Sequence, residues 1–102
     1  MPDHFHVLIT VRSISIERAV QFVKGGFAFR AGKELGFRAP VWERGFSEVR
    51  IYDVQHFLRA KQYIENNPVR RGLVTKTCEY VYSSAHESLE VDAVPQGLKP
   101  AA

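Results

Sequence analysis

Two histidines flank one phenylalanine in "MPDHFHVLITV", and a tyrosine stands four residues ahead of an asparagine in "YIENNP". On a strand, residues two apart project from one face with Cα atoms roughly 6 to 7 Å apart, so His4 and His6 can both reach a single divalent ion. Two ligands are too few for a site, and paired histidines on a strand also occur simply packed or exposed. Asn67 lies one helical turn after Tyr63, where its amide oxygen can serve as a third ligand. Taken by itself, it reads better as a C-terminal helix residue before Pro68. A tyrosine beside a divalent ion suits nucleophilic attack on phosphorus, because the ion polarises the phosphodiester while the phenolate forms a covalent phosphotyrosine that conserves the bond energy. The tyrosine must lose its proton during attack, and the sequence does not name the acceptor.

The elements that must position these residues can be read from pattern. From His4 to Val11 the β-branched and aromatic residues predict a strand, with Phe5, Val7, Ile9 and Val11 on one face and His4, His6, Leu8 and Thr10 on the other. Ser13 or Ser15 can cap a helix running through Glu17, Val20, Val23 and Lys24, with Gly25 and Gly26 obscuring its far end. "RAGKELGFRAP" reads as loop, and "VWERGFSEVRI" as one bent strand or a short hairpin around Gly45. Asp53 caps the clearest helix, "DVQHFLRAKQYIENNP", which Pro68 is expected to stop. At about 100° per residue, Val54, Phe57, Leu58 and Ile64 gather on its core side, while Tyr63 falls nearly opposite, with His56, Arg59 and Asn67 on its side. Gly72 turns the chain, and "CEYVYSSAHE" reads as a further strand or turn. Beyond Ser88 the composition predicts a frayed tail.

Composition bounds the rest. A chain of 102 residues, 45% of them hydrophobic, has room for one small domain. The apolar runs are short and the N-terminus lacks the order of a signal peptide, so no membrane partner and a cytoplasmic location are expected. The single cysteine, Cys78, has no cysteine companion for a disulfide, a zinc knuckle or a redox pair. The formal charge of +3 hides an asymmetry: twelve of the fourteen Lys and Arg residues lie between Arg12 and Arg71, against six acidic residues in the same stretch. A basic body fits a polyanion such as nucleic acid, bound through phosphate contacts and counterion release, and equally a solvated surface.

Taken together, "MPDHFHVLI", "VWERGF", "YIENNPVRRGLV" and "YVYSSA" resemble the HUH single-tyrosine transposases, most closely those associated with REP elements. The resemblance runs from Met1 to about Ala85 in the family's order. It implies an α+β fold, an antiparallel sheet with helices packed on it in the ferredoxin-like HUH arrangement, spanning residues 1–87 with 88–102 as a flexible tail. By position, His4 and His6 match the metal-binding pair, Tyr63 the nucleophile, and Asn67 the polar residue that completes the metal site. The implied activity is cleavage of single-stranded DNA near hairpins with Mg²⁺ or Mn²⁺, leaving a 5′-phosphotyrosine and a free 3′-hydroxyl that can later rejoin. The family pattern also places a strand and a helix before the Met-Pro-Asp motif, so a fold incomplete at its N-terminus is expected. A start codon placed too far downstream, a decayed gene, or a homodimer that supplies the strand would each account for it.

Lys24, Arg70 and Arg71 are the natural phosphate contacts, with a solvated turn as the plainer reading of the last two. Trp42, Phe46 and Tyr52 can stack on unpaired bases or fill a core. His56 shares the tyrosine side of its helix, and the simplest use of Ser83 and Ser84 is a hydroxyl to backbone bond in a turn. A hairpin-binding module without catalysis, or an inactive fragment, is the alternative to the enzyme.

Overall fold

A computed structural model of the chain describes residues 1, 3–38 and 40–98. It consists of two α-helices, α1 (Ile16–Leu35) and α2 (Val54–Arg70), and one 3₁₀ turn, Thr77–Glu79. The chain divides into two compact units, one formed by Thr10–Val49 and the other by Met1–Ile9 with Arg50–Ala102.

The antiparallel sheet expected of the sequence is not formed. Among the described residues no strand is present, and Asp53 alone makes an isolated bridge. Residues 4–11 are neither helix nor strand. β-branched content favours an extended backbone, but a strand is stabilised only by cross-strand pairing. The apolar side of that segment stays open, with Val7 51% and Ile9 42% exposed.

The unit Thr10–Val49 is built on α1. Ser15 is its N-cap, the hydroxyl accepting from the Arg18 N–H at 3.1 Å, and Glu17 and Lys33 stand at the ends the helix dipole favours. The helix runs straight through Gly25 and Gly26 and includes most of the stretch read as loop. Ala31, Lys33 and Leu35 are good helix formers, and Arg30 pairs with Glu34 one turn on at 2.8 Å. The stop comes at Gly36, whose φ of 74° is left-handed; its N–H and that of Phe37 bond back to Gly32 and Ala31. The segment 41–51, read as strand, is instead irregular. Within the unit its backbone is held by side chains: the Lys24 ammonium donates to the carbonyls of Glu43 (2.8 Å) and Gly45 (3.0 Å). The Trp42 indole N–H donates to the Lys24 carbonyl at 2.9 Å, and its ring packs edge-on to Phe27. These side-chain bonds hold the segment to α1 where a strand would be held by a neighbouring strand.

The second unit is organised by α2. Asp53 caps it as expected, a carboxylate oxygen accepting from the His56 N–H at 2.7 Å. Pro68 does not stop the helix, which continues to Arg70 with Pro68 buried inside it. The proline leaves the Ile64 carbonyl without its usual helical donor, and the helix closes two residues later. There Arg71, Gly72 and Leu73 donate back to Asn67, Val69 and Pro68, and Gly72 takes a left-handed φ of 74° as the expected turn. The stretch 77–89 is a 3₁₀ turn followed by successive turns rather than a strand. Glu79 accepts from the backbone N–H groups of Thr75 and Lys76, Ser83 accepts from Ala85, and the Ser84 hydroxyl ties this stretch to α2 by donating to Glu65 at 2.8 Å.

Candidate active site on the second helix

Tyr63 lies in the middle of α2 and is half exposed, at 51%. The His6 ring meets it edge-on, with centroids 6.1 Å apart and planes at 80°. On the same helix, two turns on, the Arg70 guanidinium carbon stands 5.4 Å from the Tyr63 ring centroid, within cation-π range. His4 completes the group, its ring 5.0 Å from that of His6 and nearly perpendicular to it. The expectation that the two histidines face one way agrees with this spacing even though the segment that carries them is not a strand.

The spacing suits one ion. With nitrogen to metal bonds of about 2.1 Å, two imidazoles sharing an ion in tetrahedral or octahedral geometry have ring centres roughly 4.5 to 5.3 Å apart. The charge state suits it too. His6 is held below the usual imidazole range, first by desolvation and then by electrostatic interaction with His4, the N-terminus and Arg71, which favours the neutral form that can ligate. Asn67, one turn beyond Tyr63, is 7% exposed and brings a neutral amide into the buried side of α2. Among the described residues, no three His, Cys, Asp or Glu side chains converge as a metal group by themselves.

The structure thus brings together four residues singled out from the sequence, His4, His6, Tyr63 and Arg70, with Asn67 one turn from Tyr63. Arg71 caps α2 and lines a shallow depression with Met1, Asp3 and Leu73. Lys24 belongs to the other unit, where its ammonium is engaged by the Glu43 and Gly45 carbonyls. His56 stacks on Tyr52, and its Nδ1 accepts from the Tyr52 N–H, which is a local structural use.

Two features were missed in the sequence. Asp3 bonds the His4 Nδ1 at 2.6 Å, a contact that adjacency in the sequence does not by itself reveal. Arg70 packs on the face of the nucleophile candidate rather than only facing solvent, which its i+7 spacing from Tyr63 on one helix face would have suggested.

No family model matches the chain, and no solved structure matches it. The chain is similar to a protein of Haemophilus influenzae that carries the provisional name REP-associated tyrosine transposase, at 25% identity over 107 residues. The alignment covers 94% of this chain and 61% of that protein, so the chain spans about three fifths of the length of the curated relative it matches. The resemblance first carried by short motifs therefore extends along almost the whole chain to a protein named as a REP-associated tyrosine transposase.

Proposed function

We propose that the chain acts on DNA as a metal-dependent, single-strand nuclease and strand transferase working through a 5′-phosphotyrosine. The observation that carries the reading is the meeting of His6 with Tyr63, which sets the histidine pair beside a half-exposed phenol. The name of the Haemophilus influenzae relative supports the same class.

In this reading His4, His6 and the Asn67 amide oxygen hold a divalent ion, Mg²⁺ or Mn²⁺. When bound, such an ion neutralises charge on the phosphodiester and polarises it toward attack. The remaining work falls to the chain. Tyr63 offers its oxygen to the phosphorus; a bond forms between them as the bond from phosphorus to the 3′ oxygen breaks. The phenolic proton passes to water, and the leaving 3′ oxygen takes up a proton, so the step is balanced with no change of oxidation state. Arg70, packed on the Tyr63 face, places a permanent positive charge beside the phosphate that becomes attached there. A 3′-hydroxyl from another strand reverses the step and restores Tyr63. Arg70 and Arg71 also supply the phosphate contacts that hold the strand at the end of α2. Lys24, in the other unit, is a separate candidate phosphate contact and is free for that only on leaving its two carbonyl partners. Residues 1–87 carry the activity, and 88–102 form an appended tail.

The test is incubation of the chain with single-stranded hairpin DNA and Mn²⁺, followed by denaturing electrophoresis. A covalent adduct that disappears in Tyr63→Phe supports the proposal. An adduct that persists in Tyr63→Phe removes Tyr63 as the nucleophile, and salt-dependent hairpin binding without any adduct favours a binding module instead.

A further inference from the structure

The contact between Asp3 and His4 has a chemical direction. A carboxylate can only accept, so the Nδ1 of His4 carries the hydrogen and donates it to Oδ1 at 2.6 Å. In the neutral ring the other nitrogen, Nε2, then keeps its lone pair. The Asp3 side chain is 77% exposed and that of His4 33% exposed, so the acid reaches the ring from the solvent side. Carboxylate to histidine pairs of this kind recur behind metal ligands, where they fix the tautomer and ring orientation and raise the basicity of the ligating nitrogen.

We propose that Asp3 is the positioning residue of His4: it holds the imidazole in the Nδ1–H tautomer and turns Nε2 toward the divalent ion that His4 and His6 share. The inference rests on the metal reading given above and adds to it a residue that touches neither ion nor DNA. It also gives the acid in "MPDHFH" a task distinct from both histidines. His6, by contrast, makes ring contacts with His4 and Tyr63.

The experiment uses the whole chain. Long-range ¹H–¹⁵N spectra of the metal-free protein report the His4 tautomer, and calorimetric titration with Mn²⁺ reports affinity. The wild type is expected to show His4 as the Nδ1–H form. Asp3→Ala, a change at an exposed position, is expected to mix the tautomers and weaken Mn²⁺ binding by about 10- to 100-fold. Asp3→Asn keeps an acceptor oxygen and is expected to bind Mn²⁺ more nearly as the wild type does. A wild type that binds Mn²⁺ with Asp3→Ala binding equally well overturns the inference alone. A wild type that takes up no Mn²⁺ overturns the metal reading and the inference with it. An unchanged His4 tautomer in Asp3→Ala removes the positioning role whatever the metal does.

Discussion

Replacing Gly25 and Gly26 by alanine probes the least expected part of the fold, a helix that passes through a double glycine. In a helix interior, glycine is about 0.8 to 1.0 kcal/mol less favourable than alanine, because it has more backbone freedom to lose. A Cβ built at either position meets nothing within 4 Å, so the gain should appear undiminished. The double variant is expected to be more stable by about 1.5 to 2 kcal/mol, or roughly 6 to 16 °C in Tm for a domain of this size. Two controls come from the same helix. At Gly32 a Cβ would stand 3.3 Å from the Phe37 carbonyl oxygen, so Gly32→Ala should gain less. At Gly36, with its φ of 74°, alanine should cost about 1 kcal/mol. Urea unfolding followed by far-UV circular dichroism measures all of these, with helix content at 222 nm as a second readout. If the double variant lost stability and helix content while Gly36→Ala was neutral, α1 would not run through residues 25–26 and the reasoning would fail.

Further outcomes follow from the site and its helix. Asp53→Ala removes the N-cap of α2 and should cost about 1 kcal/mol by urea unfolding, with Asp53→Asn nearly neutral. Arg70→Ala should loosen the Tyr63 ring, seen as changed Tyr63 ring-proton shifts, and lower adduct yield more than Arg71→Ala does. The His6 titration has a definite sign. Its folded-state pKa lies below the ordinary 6.5, so between the two values the unfolded chain binds more protons. The corresponding stability is complete above about pH 6.5 and is lost as pH falls toward the folded value. In NMR titration, the His6 ring should change state at lower pH than it does in a short peptide. A value above that of the peptide would contradict the environment described.

What was legible in the sequence was mostly local. Asp53 ahead of an apolar period announced α2, and Gly72 announced the turn after it, because caps and left-handed turns are decided within a few residues. The pairing of His4 with His6 was legible because spacing by two brings side chains to one face in any extended chain. The meeting of His6 with Tyr63 could be inferred only from the resemblance, since nothing local links segments so far apart. The sheet was the principal error. β-branched residues at 4–11 and 41–51 signal extended backbone, but pairing is a long-range property, and Lys24 instead occupies carbonyls at Glu43 and Gly45. Gly25, Gly26 and Pro68 misled for the converse reason. Each weakens a helix by a limited amount, and the surrounding turns outweighed it. The Asp3 contact went unread because adjacency in sequence does not reveal whether a carboxylate points at a ring.

The most direct measurement of the central claim is mass spectrometry of the chain after reaction with a single-stranded hairpin oligonucleotide in Mn²⁺. The account predicts one modified peptide, the one containing Tyr63, carrying the 5′-phosphate of the DNA on its phenolic oxygen, and none in Tyr63→Phe. DNA found attached to another residue, or cleavage with no protein-bound product at any time, would contradict it.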